Sequence, residues 1–109
     1  MERPGHENCP CMETCPLNRA LGLIGGKWKM QILCALSNNG PTRYNRLKKT
    51  LDGVSNTALA NALRELEEDG LVLRREYLEV PVRVEYEITA PGRALVPILD
   101  RLGDWSMGL

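Results

Sequence analysis

The 109-residue sequence contains no phenylalanine, and its aromatic content is only 5%. We therefore expect an aliphatic core in which Trp28 and Trp105 are the large anchors. No apolar run approaches the roughly 18 residues that a membrane-spanning helix needs. The polar N-terminus, "MERPGHENCP", does not read as a secretion signal, so we expect a cytoplasmic protein without membrane contact. The hydrophobic content of 43% argues for one folded domain.

Acidic residues are absent between positions 14 and 51, although the net charge of the whole chain is zero. The same span carries basic residues at Arg19, Lys27, Lys29, Arg43, Arg46, Lys48 and Lys49. No acid nearby in the sequence neutralises them. A solvated basic face is the simpler explanation, but an acid-free span of this length in a neutral protein more often indicates an anionic partner.

Apolar spacing and breaker residues predict five helices, at residues 16–24, 27–37, 43–51, 56–70 and 90–108. Ser55 and Thr89 are suited to cap the fourth and fifth helices, and Pro97 is expected to kink the fifth. Between these helices the apolar period changes to two. This change predicts strands at 71–77 and 83–89, joined by a hairpin with a proline at its tip. The predicted fold class is α+β, mainly α.

This order of helices, hairpin and terminal helix is typical of a winged helix-turn-helix domain with a two-stranded wing and an added C-terminal dimerisation helix. We assign residues 15–89 to the DNA-binding domain and 90–109 to the dimerisation helix packed on it. Residues 1–14 are predicted to form a flexible, cysteine-bearing tail. In this layout the fourth helix enters the major groove of double-stranded DNA.

The cap and outward face of the fourth helix carry the residues that we expect to contact bases: Ser55, Asn56, Thr57, Ala60, Asn61 and Arg64. An asparagine can bind adenine in a bidentate manner, and Arg64 can read guanine or hold a phosphate. Taken singly, Asn56 and Thr57 are better explained as ordinary helix-start residues.

Basic residues outside that helix are candidates for contacts with the DNA backbone, which carry no sequence information: Lys27, Arg43, Arg46, Lys48 and Lys49. The hairpin adds Arg74, Arg75 and Arg83 as wing candidates. Arg83 is equally compatible with a minor-groove contact and with a solvated strand end.

An apolar stripe on the last helix consists of Leu95, Ile98, Leu102 and Trp105. Such a stripe has little left to cover in so small a domain, so a second copy of the chain is the expected partner. Burial against the domain's own core is the alternative. A two-fold dimer would bind an inverted-repeat operator with half-sites about 10 bp apart.

Four blocks of sequence resemble the HxlR-type family of winged-helix regulators, which are relatives of the MarR regulators: "CPLNRALGLIGGKWKMQIL", "GVSNTALANALRELEEDGLVLRREY", "VPVRVEYEIT" and "GRALVPILDRLGDW". The resemblance implies a dimeric, DNA-binding transcriptional regulator that is not an enzyme and carries no cofactor. It also implies that the first helix, with Leu17 and Leu21, joins the last in the dimer interface. The chain departs from the family's usual residues at Tyr44, which is commonly Phe, and at Arg46, which is commonly acidic.

The cysteines in "NCPCMETCP" have separate interpretations. Cys15 precedes Pro16 and so lies at the N-cap of the first helix, where the helix dipole favours a reactive thiolate. The family resemblance implies that Cys15 is a sensor of oxidants or electrophiles. Cys34, among apolar neighbours in the second helix, is better explained by packing. Cys9 and Cys11 are possible partners of Cys15 in a redox reaction, or parts of an inert tail.

Two other functions remain open. His6, Cys9, Cys11 and Cys15 form a set of soft ligands that could bind zinc, although their spacing matches no common zinc motif. The chain would then be a metal sensor, or a protein-interaction adaptor built on a winged helix. An enzymatic function has little support, because the only histidine is in the tail and there is no Gly-rich phosphate loop.

Overall fold

The computed structural model describes residues 15–109, which form five α-helices and three β-strands. The elements are α1 (Pro16–Ile24), α2 (Lys27–Asn39), β1 (Thr42–Arg43), α3 (Tyr44–Thr50), α4 (Asn56–Glu68), β2 (Val72–Tyr77), β3 (Arg83–Ile88) and α5 (Ala90–Met107). This is the winged helix-turn-helix order that the sequence predicts. None of the helices within 15–109 has the length and apolar character needed to span a membrane.

The sheet has three antiparallel strands in the order β1-β3-β2, whereas the sequence predicts a two-stranded wing. Thr42 lies opposite Tyr86, and Arg43 lies opposite Glu85. The prediction that Arg43 opens a helix is therefore wrong, since α3 begins one residue later. Thr42 is 2% exposed, and its hydroxyl donates to the carbonyl of Gly40 at 2.7 Å. A strand of two residues is too short to show a period of two in the sequence.

The core is aliphatic and centres on α2, in which Ile32, Leu33 and Leu36 are fully buried. The inner face of α4 packs on it with the predicted stripe of Leu59, Ala62, Leu63 and Leu66. Trp28 is partly buried against the same cluster. Trp105 is 64% exposed, so its expected role as a core anchor is wrong for this chain by itself.

Both predicted caps are present. The Ser55 hydroxyl accepts a hydrogen bond from the backbone N–H of Ala58 at 3.0 Å, which satisfies a donor that the first turn of α4 leaves unpaired. The Thr89 hydroxyl accepts from the N–H of Gly92 at 3.2 Å and donates to the carbonyl of Gly70 at 2.7 Å. Thr89 thus fixes the start of α5 against the turn that follows α4.

Candidate nucleic-acid interface

The two faces of α4 differ sharply in burial. Its four apolar residues pack inward, and Ser55, Asn56, Thr57, Ala60, Asn61 and Arg64 are all exposed, as the sequence predicts. The 3.6-residue period explains this separation, because residues three and four apart fall on one side of a helix. The structure therefore brings the candidate base-contacting residues together on one solvent-facing surface.

Hydrogen bonds from two donor residues, Tyr44 and Arg64, order the polar side chains on this surface. The Tyr44 hydroxyl, from the start of α3, lies 3.1 Å from the carbonyl oxygen of Asn56 and 3.3 Å from its Oδ1, and it donates toward both. One turn further along α4, Nη1 of Arg64 donates to Oδ1 of Asn61 at 3.1 Å. The Asn61–Arg64 contact follows from their i, i+3 spacing, but the Tyr44 contact joins two helices and was not predicted.

Lys29 differs from the other basic residues of the acid-free span. It is 7% exposed, and its Nζ lies 2.8 Å from Oε1 of Glu65 on α4. The hydrogen bond and the charge of Lys29 hold the pKa of the Glu65 carboxyl below its ordinary value, with a smaller contribution from Arg64. The sequence has no acid near Lys29, and the fold supplies one from a distant helix, so Lys29 does not belong to the unpaired cations of the span.

The candidate phosphate contacts lie at the surface. Arg43, Arg46 and Lys49 are exposed and Lys48 is half-buried, while Lys27 is exposed with its Nζ 4.8 Å from the centre of the Trp28 ring. Within residues 15–109, none of these five cations makes an ion pair. Their charges are consequently available to an anionic partner.

The wing is a different electrostatic environment, because each of its arginines is paired with glutamate. Arg74 contacts Glu76 at 3.2 Å, Arg75 contacts Glu87 at 2.6 Å, and Arg83 contacts both Glu79 at 2.9 Å and Glu85 at 3.0 Å. The Arg83 guanidinium also lies 4.0 Å from the centre of the Tyr77 ring. The arginines of the wing are therefore internally neutralised, a feature that their positions in the sequence did not reveal.

A groove of about 700 Å³ separates α1 from α5 and is lined almost entirely by apolar side chains. All six predicted interface residues lie along α1 and α5: Leu17, Leu21, Leu95, Ile98, Leu102 and Trp105. Leu95 is half-buried and the other five are exposed by half or more. The two helices therefore form one exposed apolar surface.

Cys15 occupies the predicted N-cap of α1 in an extended backbone conformation, with φ −70° and ψ 128°. Its side chain is only 2% exposed, which its position next to a proline did not indicate. Cys34 is half-buried, and the pKa of its thiol is raised by burial and by the nearby Asp100 carboxylate. A raised pKa makes Cys34 a poor nucleophile at neutral pH.

The predictions for His6, Cys9 and Cys11 and for a flexible tail fall on residues 1–14, outside the described part of the chain. In the part that is described, no group of three or more histidine, cysteine, aspartate or glutamate residues is arranged to hold a metal ion.

Residues 23–109 match the family model described as HxlR-like helix-turn-helix. The chain belongs to this family. As an HxlR-like chain, it is a DNA-binding transcriptional regulator of the helix-turn-helix type.

The HxlR-like chain is similar to regulators of known sequence and structure. It is 42% identical over 96 residues to an uncharacterised HTH-type transcriptional regulator of Halalkalibacterium halodurans, covering 88% of this chain and 85% of the relative. A MarR-family regulator from Porphyromonas gingivalis W83 superimposes with a TM-score of 0.79 at 34% identity, over 88% of this chain and 93% of that one. The oxidised form of the redox regulator HypR gives a TM-score of 0.79 at 37% identity, over 87% and 97% of the two chains.

Proposed function

We propose that this HxlR-like chain acts in the cytoplasm as a homodimer that binds an inverted-repeat DNA operator and regulates transcription in response to oxidants or electrophiles. The observation that carries the proposal is the exposed polar face of α4, next to the cations of α3, which make no ion pair within residues 15–109. In a winged helix, such a face enters the major groove while the neighbouring cations hold the phosphates.

Sequence recognition is assigned to α4, in which Asn56, Thr57, Asn61 and Arg64 offer hydrogen-bonding groups to base edges. Arg43, Arg46, Lys48 and Lys49 hold the DNA backbone, and Lys27 adds a cation at the start of α2. Because each wing arginine is paired with glutamate, the wing contributes less to electrostatic binding than its composition suggests.

Dimerisation is assigned to the groove between α1 and α5. Its apolar lining and volume of about 700 Å³ support this assignment, because an exposed apolar groove on two helices is a surface that a second copy can bury under two-fold symmetry. Leu102 lines this groove, and Trp105 lies one turn beyond it on α5 with 64% of its surface exposed. Trp105 is the strongest candidate for an anchor, because tryptophan is enriched among the residues that carry most of the binding energy of an interface.

Oxidant sensing is assigned to Cys15, which stands at the positive end of the α1 dipole. The similarity to HypR, a redox regulator solved in oxidised and reduced forms, supports this assignment. Because Cys15 is 2% exposed, a bulky oxidation product does not fit without moving the start of α1. That displacement, at the edge of the dimer groove, is the proposed route by which oxidation changes DNA affinity.

DNA binding is tested by measuring affinity for an operator selected from random duplexes, between about 50 and 200 mM salt. Lys48→Ala is expected to weaken all sequences alike, whereas Asn61→Ala or Arg64→Ala should blur the sequence preference. An affinity that does not change with salt would contradict the proposal.

The sensing role is tested by treating the protein with diamide and measuring operator affinity. The wild-type protein should lose affinity reversibly with a thiol reductant, Cys15→Ser should not respond, and Cys34→Ser should respond like the wild type. If Cys15→Ser still responds, the sensor is another thiol. If neither the wild type nor any variant loses affinity, the assignment of oxidant sensing is wrong. The proposal of DNA binding does not depend on this result.

A further inference from the structure

Three side chains on successive turns of α4 each direct one oxygen toward a donor of the same chain. Oδ1 of Asn56 faces the Tyr44 hydroxyl at 3.3 Å, Oδ1 of Asn61 accepts from Arg64 at 3.1 Å, and Oε1 of Glu65 accepts from Lys29 at 2.8 Å. Three acceptors on three successive turns are thus directed toward protein donors.

These bonds also set the orientation of both asparagine amides. In an amide the oxygen and the NH₂ group lie on opposite arms of the same carbon, so an oxygen held by a neighbouring donor turns the NH₂ group away from that neighbour. The Asn56 amide is tied to α3 through its oxygen, and the Asn61 amide is tied to Arg64. What both offer to an external partner is their pair of N–H donors.

The other polar groups on this surface are donors as well. Arg64 has five N–H groups and uses one of its nitrogens on Asn61, and Thr57 has a hydroxyl. Ser55 spends its oxygen as an acceptor for the N–H of Ala58, which leaves its own hydroxyl hydrogen to donate. The first two turns of α4 therefore direct several N–H and O–H donors toward solvent, whereas exposed carboxylates such as Glu68 lie toward its C-terminal end.

We propose that α4 selects guanine on the contacted strand of each half-site, through the N7 and O6 acceptors that guanine presents in the major groove. This proposal rests on the proposed function, in which α4 enters that groove. Guanine is the base whose major-groove edge offers two acceptors and no donor. Bidentate recognition of adenine by asparagine needs the amide oxygen and the NH₂ group to face the base together, and here both amide oxygens are directed toward donors of the same chain.

Tyr44 is the specificity-determining residue in this arrangement, although it belongs to α3 and acts through Asn56. The single hydrogen of its hydroxyl is shared between the backbone oxygen of Asn56 at 3.1 Å and Oδ1 of the same residue at 3.3 Å, and the second contact orients the side-chain amide. Tyr44→Phe removes this donor and keeps the ring that packs on the core. In that variant Asn56 can turn its amide and pair with adenine.

The test begins with selection of bound duplexes from a random library by the full-length protein. The expected half-site contains guanine at the contacted positions, and replacing one such guanine by 7-deazaguanine should lower affinity about tenfold. Inosine is the matched control: it lacks only the amino group in the minor groove, keeps N7 and O6, and should bind nearly as well.

The Tyr44→Phe variant should reduce the preference for guanine over adenine at one position of each half-site, from about tenfold to near unity. The same substitution in an Asn56→Ala background should leave the preference unchanged, and an unaltered thermal midpoint excludes a loss of folding. Selection of half-sites with adenine at the contacted positions would overturn the proposal. A guanine preference that Tyr44→Phe leaves unaltered would also overturn it. Library duplexes bound without any sequence enrichment would overturn sequence-specific operator binding itself, and this proposal with it.

Discussion

Nζ of Lys29 lies 2.8 Å from Oε1 of Glu65, and this contact joins the first turn of α2 to the third turn of α4. The two partners differ in exposure, since the Lys29 side chain is 9% exposed and that of Glu65 is 48% exposed. Removing the glutamate therefore costs more folding free energy than removing the lysine, because a buried ammonium without a partner carries the larger desolvation penalty. The ion pair fixes α4 against α2.

This asymmetry predicts that Glu65→Gln lowers the free energy of unfolding more than Lys29→Met does. The first substitution leaves a positive charge in an apolar surrounding, while the second leaves a carboxylate that water already reaches. Urea denaturation near neutral pH measures both. Glu68→Gln, a substitution of the same type at an exposed residue without an ion pair in the described chain, is the control and should have little effect. A larger loss in Lys29→Met would contradict this account of burial.

The same pair predicts a dependence of stability on pH. Because the pKa of Glu65 is lower in the folded protein than its unfolded value of about 4.3, the pair contributes stability above that value. The contribution is lost as the pH falls through the folded pKa. The difference in unfolding free energy between the wild type and Glu65→Gln should therefore be constant from pH 6 to 8 and shrink below about pH 4. A difference that persists at pH 3 would show that the carboxylate is not responsible.

Gly92 predicts a steric requirement at the start of α5. A Cβ atom there would meet the carbonyl oxygen of Leu71 closer than van der Waals contact permits, and would lie 2.8 Å from Cγ1 of Ile88. Gly92→Ala should lower stability by about 1–3 kcal/mol, because backbone cannot yield as a flexible side chain does. Gly103→Ala in the same helix meets no atom within 4 Å and should stabilise by about 0.5–1 kcal/mol through helix propensity. Thermal melts of both variants measure the contrast.

Local signals in the sequence account for much of this fold. Gly70 follows α4 with a positive φ of 77°, and the caps at Ser55 and Thr89 mark two helix starts, so single residues indicated these ends. The 3.6-residue period separated the inner and outer faces of α4 with no misplaced residue. Such features depend on neighbours in the chain, which is why the sequence alone reveals them.

The remaining features depend on contacts between distant segments. Lys29 and Glu65 belong to different helices, and the Tyr44–Asn56 contact requires the packing of α3 on α4. Arg75 meets Glu87 diagonally across the hairpin, a pairing that follows from the strand register and not from the spacing within either strand. Burial of Cys15 likewise results from tertiary packing. The positions of charged residues along the sequence therefore located the basic segment. They did not show that glutamates neutralise Lys29 and the arginines of the wing.

The apolar groove between α1 and α5 predicts how the proposed dimer can be disrupted. Leu102→Asp places a charge where a second copy would bury it, and should raise the dimer dissociation constant at least about tenfold. Leu78→Asp is a matched control, because Leu78 is 93% exposed at the tip of the hairpin, away from the groove. Sedimentation velocity over a concentration series measures both. A monomeric wild type would contradict the dimer, and an unaffected Leu102→Asp dimer would place the interface elsewhere.

The contrast between α3 and the wing predicts which basic residues determine the salt dependence of DNA binding. Lys49 is exposed and makes no ion pair in the part of the chain that is described, whereas the Arg75 guanidinium lies 2.6 Å from Glu87. A cation that releases a counterion from DNA steepens the dependence of affinity on salt, but a cation already paired with a carboxylate releases little. Lys49→Ala should therefore reduce the slope of log affinity against log salt by roughly 1, and Arg75→Ala by much less.

Glu87→Gln is expected to have the opposite effect on the slope. It removes the partner of Arg75, so the freed guanidinium should steepen the dependence of affinity on salt. Equal slopes for Lys49→Ala and Arg75→Ala would mean that DNA displaces the wing glutamates, and that the ion pairs of the unbound protein do not persist in the complex.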